Sequence, residues 1–293
     1  MLYPRDFLIS KSDALLKPYF FTLLMLLVGA TLFSRGANIG EAVGILFGTG
    51  QTIRWTPLWF LPHLWCLLIC SYVLVRLVDL DKRSVLFKVA LLLILLFVGV
   101  SILALIRQTT VSFSGRDFEL IGLPFSFDIV FISMAFLLSG YLMSQQVKNF
   151  TPSYPVLAIA IITFAYIVVV THAVVDLNRR VYDQPIYATL AAISGIYFML
   201  CIAFYVSRSL SLRRIFSTFG SASLFVLIFH YALGKKAQVM LGYMIPIEKW
   251  ALLCGGISYV FSVTAPLLIR AMILKIKFFK FFYFPIKRSG LVS

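Results

Sequence analysis

Charge is scarce in this sequence. Only 13% of its 293 residues are Asp, Glu, Lys or Arg, against 61% hydrophobic and 16% aromatic. A water-soluble domain carries about 25% charged and about 45–50% apolar residues, so this chain lacks the polar groups to cover a core of its own. A mean hydropathy of +0.98 agrees. Lipid must be the solvent for most of it. Acidic residues are scarcer still, 11 against 26 Lys+Arg, for a net charge of +15. In a soluble protein that imbalance would indicate nucleic acid. Here the basic residues fall between apolar runs, so membrane orientation explains them and no nucleic-acid partner is expected.

Cysteine occurs four times and histidine three. Cys66, Cys70, Cys201 and Cys254 all lie inside apolar stretches, with no Cys-x-x-Cys pair and no Cys/His cluster. That placement argues for packing rather than a disulfide framework, and no metal is expected.

Long apolar runs are what the sequence has in abundance. A membrane helix needs about 20 mostly apolar residues, and eight stretches qualify: 16–33, 57–78, 86–106, 124–143, 155–175, 185–206, 219–241 and 250–274. Polar or helix-breaking punctuation separates them, at Arg35-Gly36, at Asp79 to Arg83, at Pro152 and Pro155, and from Asp176 to Asp183. The run from Val89 to Val98 shows none of the alternation of a membrane β-strand. The expected fold class is all-α, a polytopic membrane helix bundle of eight spans forming a single domain over residues 1–293.

With the N-terminus inside, the 26 Lys+Arg divide into 17 on the inner side and 9 on the outer, which predicts both termini in the cytoplasm. The first run carries no signal-peptide pattern, and the charged stretch Met1 to Lys17 reads as a cytoplasmic loop leading into it. The tail from Lys275 to Arg288 interleaves cations with aromatics and reads as an anchor in the inner headgroup layer.

Ionisable groups inside a membrane are costly, which makes them functional candidates. His63, His172 and Asp128 share one depth near the outer side, with Arg54, Trp55, Arg116, Asp176, Arg179 and Arg180 in the loops above and Trp59 close by. Aromatic faces stack on pyranose rings and Arg and Asp grip hydroxyls, so this grouping could bind a sugar. The competing reading is that interfacial His, Trp and Arg sit where amphipathic side chains prefer to sit. Arg179-Arg180, beside Asp176 and Asp183, reads as a solvated loop. His230 lies halfway through the seventh run and must find a partner or face a wet cavity. Both a structural hydrogen bond between helices and a functional role fit it.

Four segments together resemble the bacterial acyltransferase 3 family, particularly its fucose 4-O-acetylase-like branch. They are Leu15-Leu-Lys-Pro-Tyr-Phe20, Pro57-Leu-Trp-Phe-Leu-Pro62, Leu123-Pro-Phe-Ser-Phe-Asp128 running into Leu138-Ser-Gly-Tyr-Leu142, and Gly220-Ser-Ala-Ser-Leu-Phe-Val-Leu-Ile-Phe-His230. Their order covers nearly the whole chain. The resemblance implies a multi-pass protein of the bacterial inner (plasma) membrane with no bound cofactor. It would transfer an acyl group, usually acetyl from acetyl-CoA, to a hydroxyl of an envelope polysaccharide or a lipid-linked sugar precursor.

The family's proposed catalytic histidine lies in its first helix, whereas the first run here contains no histidine. If Leu15 to Tyr19 matches the start of the third family helix, two helices precede this sequence, and an in-frame upstream extension would encode them. The alternative is an eight-helix relative that has relocated its chemistry. His63 with Arg54 or Arg116 is the replacement pair to consider, a histidine taking the hydroxyl proton and an arginine facing the oxyanion. Its outer position, away from cytoplasmic acetyl-CoA, counts against it, and His230 is the second candidate. Two other classes stay open. A transporter or flippase for a lipid-linked glycan would need a continuous polar path and broken helices, for which only Gly255-Gly256 and Pro266 offer interruptions. A non-catalytic membrane partner would fit the missing first-helix histidine.

Overall fold

The computed structural model describes residues 3–33, 39–107, 109–113, 116–119, 122–244 and 247–286, with the side chains of 110–113, 116–119, 244 and 247–249 excepted. The break expected at Arg35-Gly36 lies outside the described residues. In chain order the elements are α1 (Pro4–Leu32), α2 (Ile39–Phe47), α3 (Thr56–Val78), α4 (Val85–Arg107), β1 (Thr110–Phe113), β2 (Arg116–Glu119), α5 (Pro124–Leu142) and α6 (Ser144–Lys148). They continue with α7 (Tyr154–Thr171), β3 (Val175–Asp176), β4 (Val181–Tyr182), α8 (Pro185–Arg208), α9 (Leu210–Ser221), α10 (Ser223–Met244), α11 (Ile247–Lys275) and α12 (Lys277–Tyr283). Among the described residues eight helices are long and apolar enough to cross a membrane: α1, α3, α4, α5, α7, α8, α10 and α11. This is the polytopic all-α bundle read from the sequence, with two short antiparallel ribbons, β1–β2 and β3–β4, in its loops.

The chain divides into two compact units, one formed by Met1–Phe33 with Leu210–Ser293, the other by Ser34–Ser209. In the first unit, α1 begins a dozen residues before the apolar run does. Pro4 occupies its first turn with Asp6 beside it, and Asp13 pairs with Lys17 at 2.6 Å one turn apart. The stretch Met1 to Lys17, expected as a loop, is therefore helical from Pro4 onward, because a first-turn proline, Asp6 at the positive end of the helix and the Asp13–Lys17 pair favour helix before hydrophobicity does. Pro18 brings no N–H to the ladder, and the turn preceding it, Ser12–Leu16, widens into a π-helix.

The aromatic tail is tied to this same helix. Phe282 stacks on Phe21 at 4.1 Å, the Tyr283 hydroxyl meets Thr22 Oγ1 at 3.0 Å, and Lys17 Nζ donates to the Phe284 carbonyl at 2.9 Å. The segment reads as a headgroup anchor on composition alone; one of its faces is instead a clasp on α1, while Phe278 and Phe281 stay exposed. α10 and α11 form a hairpin in which Gly234 lets Ser262 approach. α9 buries nothing and separates Leu212, Ile215 and Phe216 from Arg213 and Arg214 around its circumference, the pattern of an interfacial helix.

In the second unit α3, α4 and α5 pack together around Cys66, Leu67, Val75, Leu95, Val130, Met134 and Leu138. Lipid tails are as apolar as leucine, so such helices associate through close packing rather than through loss of water contact. One close approach is at Gly99 of α4, where an added Cβ would sit 2.8 Å from the Ile132 backbone nitrogen on α5. Gly99→Val is expected to prise these helices apart and destabilise the protein by about 1–3 kcal/mol. A melting curve in detergent identical to that of the parent would show that α4 and α5 do not touch there.

Candidate active site

The site is built at one end of the α3–α4–α5 group, where the chain enters α5 through an unusual turn. Leu123-Pro-Phe-Ser-Phe-Asp128 places two consecutive non-glycine residues in the left-handed region, Phe125 at φ 56° and Ser126 at φ 54°. Each such residue costs about 1–3 kcal/mol and persists only where its surroundings over-determine it. Asp128 supplies much of that determination. Its Oδ1 accepts the Leu123 backbone N–H at 2.9 Å, closing the turn on itself, and it is fully buried.

The second partner of Asp128 comes from the β3–β4 hairpin. Arg180 Nε donates to Asp128 Oδ2 at 3.0 Å and its Nη2 donates to Asp128 Oδ1 at 3.3 Å. The same Nη2 donates to Ser126 Oγ at 3.1 Å, and Nη1 to the Asn178 carbonyl at 2.8 Å. Arg180 is 5% exposed and itself lies at φ 58°. Glycine makes room for it: Gly122, at φ +120°, lies against the guanidinium so closely that any Cβ would collide with it. Gly50 likewise clears the Asn178 side chain, which lets the loop before α3 settle on the hairpin. The expectation of a solvated Arg179-Arg180 loop is thus corrected for one residue of the two. Arg179 stays in solvent beside Asp176, at 3.6 Å, whereas Arg180 turns inward because Asp128 is a buried carboxylate in need of a cation.

His63 sits next to this turn, on α3 and 2% exposed. Its Nδ1 lies 3.2 Å from the Ser126 carbonyl and its Nε2 lies 3.0 Å from Ser133 Oγ on α5. A carbonyl can only accept, so in the neutral ring Nδ1 carries the proton and Nε2 is left to accept the Ser133 hydroxyl. The Trp59 ring lies 5.6 Å from the imidazole and packs on the cluster of Leu103, Ile129, Ile132 and Tyr182. Trp59 is therefore a wall of the histidine's surroundings.

Arg180 also lines a cleft of about 410 Å³, together with Val100, Leu103, Ala104 and Arg107 of α4 and Tyr182 and Asp183 of the hairpin. Arg107 reaches Asp183 at 3.5 Å, and both are more than half exposed. Burial pushes the Tyr182 phenol above its ordinary range, and its hydroxyl lies 2.9 Å from Thr189 Oγ1. The cleft offers an apolar wall on one side, and cations with one carboxylate on the other.

The remaining candidates fall elsewhere. Arg54 is exposed and paired with Glu41. His172, at φ 52° where α7 ends, is exposed, and its side chain makes no hydrogen bond among the described residues. The Arg116 backbone pairs with Phe113 in the β1–β2 ribbon, and its side chain lies outside the described residues. His230 belongs to the other unit, where its Nδ1 meets the Val226 and Leu227 carbonyls of its own helix at 2.8 and 3.1 Å. Of the two readings left open for it, the hydrogen bond is present, but within its own helix rather than between helices. No three His, Cys, Asp or Glu side chains gather as a metal site among the described residues.

A family model described as an acyltransferase domain, acyltransferase 3, matches residues 4–269. The chain belongs to the acyltransferase 3 family. No curated protein and no solved structure matches it significantly. For a member of an acyltransferase family, the chemistry to look for is a base that can take a hydroxyl proton and a donor set for developing negative charge. Of the three histidines, His63 alone is fixed through both ring nitrogens to neighbouring groups, and its network runs through Ser126 to an arginine that lines a cleft. Sequence reasoning reached His63, Asp128 and Trp59 but missed Ser126, Ser133 and Arg180 as partners. The available signal was Asp128 itself, since a carboxylate inside a span demands a cation from the nearest loops.

Proposed function

We propose that this chain is a membrane O-acyltransferase of the bacterial inner membrane, both termini in the cytoplasm, that moves an acetyl group from acetyl-CoA to a hydroxyl of an envelope polysaccharide or its lipid-linked precursor. One observation carries this reading: a buried histidine, locked in the tautomer of a proton acceptor, linked through Ser126 to the arginine of an adjoining cleft. His63 Nε2 takes the proton of the attacking hydroxyl. The acceptor sugar occupies the cleft, with Arg107 and Asp183 bonding its hydroxyls and the lipid carrier of a precursor running along Val100 and Leu103 toward the bilayer. The excess of cations in the loops assigned to the cytoplasm and on α9 supports this orientation; in it the cleft faces the outer side, where an envelope glycan is met.

The test is transfer in proteoliposomes. Purified protein, labelled acetyl-CoA and lipid-linked glycan should yield acetylated glycan above protein-free vesicles; no transfer with any acceptor tried would overturn the reading. Asp183→Ala and Arg107→Ala are expected to raise KM for the acceptor about tenfold each, the worth of one charge-assisted hydrogen bond, with KM for acetyl-CoA unmoved. An equal rise in KM for both substrates would remove the acceptor from the cleft.

A further inference from the structure

We infer that Ser133 is a nucleophile that carries the acyl group covalently between donor and acceptor, with His63 as its base; this rests on the O-acyltransferase reading. Hydroxyls inside membrane helices ordinarily satisfy themselves on their own helix, one turn back. Here Thr22 donates to the Pro18 carbonyl, Ser101 to Phe97, Ser139 to Ala135 and Thr264 to Val260, all within 2.7–2.9 Å. Ser133 does not. Its Oγ is turned across to α3 and lies 3.0 Å from His63 Nε2.

The histidine is held in turn by a third group, the Ser126 carbonyl at 3.2 Å, which fixes the proton on Nδ1 and leaves the Nε2 lone pair for Ser133. A nucleophile, a base within hydrogen-bond reach and a group that orients the base make up the arrangement of an activated serine. The orienting carbonyl is itself costly to hold in place. It belongs to a left-handed residue whose side chain is gripped by Arg180, and Arg180 is gripped by Asp128. A hydrogen bond needed only for stability could be had from Ser133 and its own helix without that turn.

The steps balance. Ser133 Oγ attacks the thioester carbonyl of the acyl donor while its proton passes to His63 Nε2; the oxygen–carbon bond forms, the carbon–sulfur bond breaks, and the thiolate leaves with the proton from the imidazolium. The acceptor hydroxyl then gives its proton to His63 Nε2 and attacks the serine ester; the ester bond to Oγ breaks and Ser133 recovers the proton. Dividing the transfer this way lets donor and acceptor use the site in turn.

The protein in nanodiscs, given radiolabelled acetyl-CoA and no acceptor, is expected to acquire one hydroxylamine-labile acetyl group on the peptide containing Ser133, discharged when acceptor is added. Ser133→Ala should stay folded, melting somewhat below the parent because His63 Nε2 loses its partner, take up no label and lose transfer by about 10³-fold or more. Ser133→Cys should take up label as a thioester. Transfer by the parent with no label on Ser133, or full turnover by Ser133→Ala, overturns the covalent station while leaving the acyltransferase reading intact. Absence of both label and transfer in the parent overturns the two together.

Discussion

Asp128→Ala is expected to cost about 3–5 kcal/mol of stability, because it leaves the Arg180 guanidinium buried with no carboxylate to face. The loss has three sources that share one side chain. Arg180 loses the bonds from Nε and Nη2, the Leu123 N–H loses its acceptor, and the left-handed pair Phe125–Ser126 loses the contact that closes its turn. Arg180→Ala removes the cation and strands Asp128, so it should be nearly as damaging. The double variant should be less damaging than the sum of the two, since neither charge is then left alone in a buried place. Unfolding of the purified protein in detergent, followed for the four members of this cycle, measures the coupling directly. Strictly additive losses would mean that the two side chains do not meet. The pair is exposed by 5% and 0%, so high salt should barely change the outcome, in contrast to the open Arg107–Asp183 pair.

The same pair shows where sequence reading stops. The eight spans are legible because each is a long apolar run, and hydrophobic length is a one-dimensional property. That Asp128 lies at the end of such a run is legible too. Which cation answers it is not, because the pairing joins residues 52 positions apart. Nor does sequence separate Arg179 from Arg180, two neighbours of identical chemistry. The hairpin turn sends one outward to Asp176 and the other inward, and that choice is made by φ 58° at Arg180 and by the space beside Gly122. His172 and His63 look equivalent by depth, yet one is exposed at a helix end and the other is enclosed between α3 and α5. The helical start of α1 is a different kind of miss. Pro4, Asp6 and the Asp13–Lys17 pair are local and readable, but they carry less weight in a sequence scan than the apolar run that follows.

His63→Gln should reduce acyl transfer by about 10²–10⁴-fold, the usual worth of a positioned general base. Its structural cost is smaller and separable. Loss of both ring nitrogens would leave the Ser126 carbonyl and the Ser133 hydroxyl without their partner, worth about 1–3 kcal/mol for each buried group. Glutamine keeps a donor within the same space, so melting should fall much less than for Asp128→Ala. A folded but inactive His63→Gln is the expected result, and a folded variant with parental activity would remove His63 from the chemistry. His63→Ala separates base from brace by a second route: its cavity should admit free imidazole, and partial recovery of transfer with added imidazole requires a proton acceptor at that place and not merely a packed ring. The other two histidines serve as controls. His172→Gln changes an exposed side chain, and His230→Gln changes one that bonds its own helix, so both should carry out acyl transfer near the parental rate. A loss at His230 equal to that at His63 would mean that the essential proton acceptor lies in the other unit of the chain, and that the turn between Leu123 and Asp128 serves folding alone.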